Sequence, residues 1–116
     1  MSSVTIASII IESTNRIGGV EELKRWVIDT VTSQHDLYLP NDFNFSDATF
    51  SEVASSKGSL YVIGGFFNYA TLETMENLAE LISEKFGVLV HVWGADENQI
   101  LDGHYTSRTF DKGVEL

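Results

Sequence analysis

Residues 71–93, TLETMENLAELISEKFGVLVHVW, decide the fold, because a helical pattern and a strand pattern follow one another with a single glycine at the join. Thr71 has N-cap chemistry, Gly87 suits the position just past a helix, and Lys85 falls in the last turn. The spacing predicts a helix over 72–86, with Met75, Leu78, Ala79, Ile82 and Phe86 on one apolar stripe. Val88, Val90 and Val92 then alternate with Leu89, His91 and Trp93, which predicts a substantially buried strand.

Upstream, residues 59–67 (SLYVIGGFF) read as a central strand, and the glycine pair Gly64-Gly65 marks a bulge or a close backbone approach. Residues 4–12 hold Val, Thr and three consecutive Ile, a β-branched run suited to a buried strand. After loop residues 13–19, Val20, Leu23, Val27 and Val31 recur at helical spacing, with Glu21 and Glu22 at the positive end of the helix dipole. That predicts a helix over 20–32. Residues 37–39 suit a short strand that must stop at Pro40. Between residues 41 and 57 two readings stand. Phe43 and Phe45 alternate with polar residues as in a half-buried strand, whereas Phe50, Val53 and Ala54 after Ser46 and Asp47 fit a short capped helix.

Downstream, Asp102-Gly103 lies between 99–101 and 104–106, and Asp-Gly between strand-like residues predicts a tight terminal hairpin. The whole order predicts one α+β domain over 1–116. The expected architecture is a ferredoxin-like split β-α-β sandwich with a mainly antiparallel sheet, two helices on one face and a C-terminal hairpin.

The chain has 116 residues, 43% of them hydrophobic, which is enough apolar side chain for one core. It has no cysteine, so thiolate metal sites and disulfides are excluded, and a reducing, cytoplasmic compartment is expected. The apolar run at 4–11 lacks a basic flank and is far shorter than the roughly 20 residues of a membrane span.

Catalytic and metal chemistry find little to build on. Among the histidines, His91 lies in the valine strand and reads as a partly buried residue with one satisfied nitrogen, while His35 and His104 sit among polar residues. His104-Tyr105-Thr106 matches the His-x-Thr element that two-histidine phosphodiesterases use in pairs, but neither other histidine has a hydroxyl two positions on. His104 with Asp102, or His35 with Asp36, supplies two ligands where a closed zinc site takes four. No enzyme activity, metal or cofactor is therefore expected.

Charge is the unusual property. Seventeen Asp and Glu against seven Lys and Arg give a net charge of −10, which opposes direct nucleic-acid or anionic-membrane binding and favours a basic protein partner. Between Asp36 and Glu84 eight acids, Asp42, Asp47 and Glu52 among them, face the single base Lys57. On the second helix Glu73, Glu76, Glu80 and Glu84 step by three, four and four and should form a ridge about 16 Å long opposite the apolar stripe. Two like-charged i, i+4 pairs cost about 0.2–0.5 kcal/mol each, so the ridge is not what stability alone would select.

Glu73, Glu76, Glu80, Glu84, Asp42, Asp47 and Glu52 are accordingly the expected partner-binding residues. The expected function is inhibition of a nucleic-acid-handling protein by occupation of its basic groove, the logic of anti-restriction, anti-CRISPR and nuclease-immunity proteins. Two alternatives stand beside it. One is a ligand-binding domain or enzyme with a pocket near Gly64-Gly65, His91 and Trp93. The other is a homo-oligomeric or assembly subunit joined through Phe43, Phe45 and Phe50.

Overall fold

The computed structural model describes residues 4–13, 17–33, 49–56, 58–68 and 72–116. In chain order the elements are β1 (Val4–Ser13), α1 (Val20–Ser33), β2 (Thr49–Ser55), β3 (Gly58–Asn68), α2 (Leu72–Phe86), β4 (Leu89–Asp96), α3 (Glu97–Asp102), β5 (Thr106–Asp111) and β6 (Val114–Glu115). The strands form one sheet in the order β2-β3-β1-β4-β5-β6, and every pairing is antiparallel. The chain is thus α+β, with six strands and three helices among the described residues.

Alternation sets the core. On β1, Thr5, Ala7, Ile9 and Ile11 are buried, and Ile9 lies between Ile63 of β3 and Val92 of β4 in the ladder. Ile11 occupies the next such row, between Tyr61 and Val90. These residues join Leu23 and Val27 of α1, Met75, Leu78, Ala79 and Ile82 of α2, and Phe110 of β5 in one cluster. Each fully buried Ile or Leu contributes about 1.5–3 kcal/mol, so the cluster is the main source of stability. Tyr61 reaches from it to donate a 3.4 Å hydrogen bond to the Ile17 carbonyl, and burial pushes its phenol above the usual range.

Helix α2 runs over the residues its periodicity predicts, and its first turn begins after Thr71, which lies outside the described residues. Its C-terminal end closes with a bond from the Val88 N–H to the Ser83 carbonyl across Gly87. Helix α1 and strands β1 and β4 also form where expected.

Four expectations change. Residues 49–55 are the strand β2 and not a capped helix. Its pairing with β3 fixes Phe50 opposite Ile63, and Phe50 packs against the core under the Lys24 ammonium, 5.8 Å from the ring centroid. β3 is an interior strand one place from the edge and not the centre of the sheet, and its glycine pair makes no bulge. Ser8 faces Gly64 and Ala7 faces Gly65 in unbroken register.

The fourth change concerns Asp102-Gly103, which ends a helix and does not turn a hairpin. Asp96 caps α3 by accepting from the Gln99 N–H at 2.9 Å, and the Gln99 side chain accepts from the Asp96 N–H at 3.0 Å. Gly103 then takes the left-handed conformation, φ 73°, that closes the helix. The terminal hairpin lies further on, at Lys112-Gly113, where both turn residues have positive φ as a type I′ turn requires. The readings at 37–39 and at Phe43 and Phe45 lie outside the described residues.

Candidate functional site

Helix α2 packs against β1, β4, β5 and β6 through its apolar stripe, which leaves its acidic residues toward the β5–β6 side and solvent. Glu73, Glu80 and Glu84 are exposed, and none has an ionic or side-chain hydrogen-bond partner among the described residues. Glu76 differs. Its side chain is only 12% exposed, and its carboxylate is held by the Arg108 guanidinium of β5.

Arg108 is forked between two acids. Its Nε and Nη2 donate to the two carboxylate oxygens of Glu115, and its Nη1 donates to Glu76, with the guanidinium 5.2 Å from the Phe110 ring centroid. Hydrogen bonds donated to Glu115, then to Glu76, hold Arg108 above the usual guanidinium range, and the same contact holds the Glu115 carboxyl below its ordinary value. The expected even ladder on α2 is therefore interrupted. Glu80 and Glu84 remain an adjacent pair about one turn apart, and Glu73 stands about 10 Å from Glu80 along the axis. The i, i+4 repulsion expected between Glu76 and Glu80 is offset at Glu76 by Arg108.

Glu52 is exposed on β2, where the Ser59 hydroxyl donates to it at 3.4 Å. Since β2 forms one edge of the sheet and α2 lies over the strands toward the other, the fold does not bring Glu52 to the acids of α2. Asp42 and Asp47 lie outside the described residues.

The sheet face away from the core carries the polar and aromatic residues of β4 and β5. Both ring nitrogens of His91 are engaged, Nδ1 with the Thr109 hydroxyl at 3.1 Å and Nε2 with the Glu12 carboxylate at 3.0 Å. Hydroxyl, imidazole and carboxylate follow one another as in a nucleophilic triad. A cross-strand network gives the same order, however, since Thr109 is paired directly opposite His91 in the ladder.

Two residues along β4, Trp93 is 50% exposed and stacks on Tyr105, which is 67% exposed, with centroids 5.9 Å apart and planes 23° from parallel. Beside them is an open cavity of about 210 Å³ lined by Ile6, Ser8, Trp93, Gly94 and Tyr105, among others. His91 and Gly64-Gly65 do not line it, so of the expected pocket residues Trp93 alone reaches this cavity. Tyr105 was not legible as its partner, because the intervening residues read as a hairpin. Phe50 packs on the core and is not an exposed interface residue.

Among the described residues no three His, Asp or Glu side chains are grouped so as to hold a metal, and no helix is long and apolar enough to cross a membrane. No protein-family model matches this chain, and no match was found among curated proteins or solved structures.

Proposed function

We propose that this chain is a small acidic binding protein that inhibits a nucleic-acid-handling protein by occupying its basic groove, in the manner of anti-CRISPR, anti-restriction or nuclease-immunity proteins. The observation that carries the reading is the state of α2. One face is committed to the core, while Glu73, Glu80 and Glu84 on the other are exposed and form no ion pair among the described residues. Arg108 is already saturated by Glu76 and Glu115, so it neutralises none of the three. Electrostatic complementarity of this kind raises association rates and makes them salt-dependent.

The scaffold suits the role. We read β1, α1, β2, β3, α2 and β4 as a ferredoxin-like split β-α-β unit, from the strand order β2-β3-β1-β4 and from the single cluster that both long helices share with the strands. β5 and β6 extend it and bring Glu115 to the acidic side, where it shares Arg108 with Glu76. The reading assigns no catalysis and places the protein in the cytoplasm, consistent with its lack of cysteine.

The test is capture of a partner on immobilised protein, compared with a Glu80→Lys/Glu84→Lys variant at low and raised salt. The reading predicts a nucleic-acid-binding partner whose affinity falls at least about tenfold in the variant and falls with salt. Unchanged affinity in the variant removes α2 as the contact.

A further inference from the structure

We propose that the cavity beside Trp93 and Tyr105 seats an arginine side chain of the basic partner, stacked on the aromatic pair. The inference rests on the basic-partner reading and names what that partner inserts. Its volume, about 210 Å³, lies below the roughly 300–1,000 Å³ of sites that enclose drug-sized ligands. A single long side chain suits it better than a cofactor.

The pair is exposed where the core does not need it. Trp93 lies on the sheet face away from the core cluster, and Ile6, which lines the same cavity, is exposed as well. Apolar groups gathered at one end of a sheet mark a contact surface more often than chance exposure does. Aromatic residues in such patches are the usual anchors of binding energy.

The connection that delivers Tyr105 is also held rigidly. The Asp96–Gln99 capping box starts α3, the His104 N–H donates to the Gln99 carbonyl at 2.8 Å, and Gln99 Nε2 donates to the Thr106 hydroxyl at 2.7 Å. Tyr105 is thereby set against Trp93 before any ligand arrives, which lowers the ordering cost of binding.

Charge selects the occupant. From Trp93 to Tyr105 the chain carries Asp96, Glu97 and Asp102 and no Lys or Arg, and its net charge is −10, a balance that favours a cation over a nucleotide at the aromatic faces. Arginine fits better than lysine, because its planar guanidinium stacks on rings and gives up its hydration more readily.

The experiment measures fluorescence anisotropy of two labelled peptides of equal length and charge, one Gly/Arg and one Gly/Lys, on the intact chain at low and physiological ionic strength. The expected result is about five- to tenfold tighter binding of the Arg peptide. Trp93→Ala and, separately, Tyr105→Ala should abolish that preference while the Lys peptide binds as before. Equal binding of the two peptides, or an Arg preference that survives both substitutions, overturns the cavity and leaves the acidic surface standing. Failure of both peptides to bind at low ionic strength overturns the basic-partner reading itself.

Discussion

Arg108 is the residue on which the acidic side of the molecule is organised, since one guanidinium satisfies Glu76 from the helix and Glu115 from the last strand. Arg108→Ala should leave the mostly buried Glu76 carboxylate without its donor. We expect a loss of about 1–3 kcal/mol, read by urea unfolding. Arg108→Lys should recover only part of it, because an ammonium cannot reproduce the fork to Glu115. The pH dependence follows from the lowered Glu115 carboxyl. Ionised Glu115 stabilises the folded state above its ordinary value, and that contribution is lost as pH falls through the depressed one. Thermal midpoints should therefore place Glu115→Gln below the parent near neutrality, with the gap closing below about pH 4. None of this was legible in the sequence. The spacing of Glu73, Glu76, Glu80 and Glu84 places them on one face, but the base that claims one of them arrives from 32 residues away.

Elements were legible in proportion to the length of their pattern. Helix α2 and strand β4 have enough turns and alternations to declare themselves, and Ile82→Ala in the centre of α2 should cost about 2–5 kcal/mol by denaturant unfolding. Short elements hid. α3 has six residues and no buried side chain, so no apolar period marks it, and a glycine in the left-handed region serves a helix end as well as a hairpin. The Asp96-x-x-Gln99 box was the available signal. Asp96→Ala should cost about 0.5–2 kcal/mol and speed hydrogen exchange in 97–102. The real hairpin escaped for the same reason of length, since β6 is two residues long and cannot show alternation. β2 was ambiguous because, among its described side chains, Phe50 is the hydrophobic one that packs on the core cluster, so pairing with β3 and not pattern fixes it as a strand.

At the scale of the whole molecule, the order of long elements was readable and so was the sheet's antiparallel character, because each follows from local periodicity and connection length. The candidate site was only half readable. Net charge and the face of α2 come from composition and spacing, whereas the exposed Trp93–Tyr105 stack depends on how α3 folds back. The two features give the molecule an acidic helix and, on a chain of net charge −10, an open aromatic cavity, both of which we propose to meet a cationic surface. The most direct test of that account is competition. A partner captured on the immobilised chain at low salt is challenged with increasing duplex or single-stranded nucleic acid, alongside the Glu80→Lys/Glu84→Lys variant. The account predicts that nucleic acid displaces the partner and that the variant fails to hold it. A partner that stays bound under saturating nucleic acid, and binds the variant equally well, would contradict it.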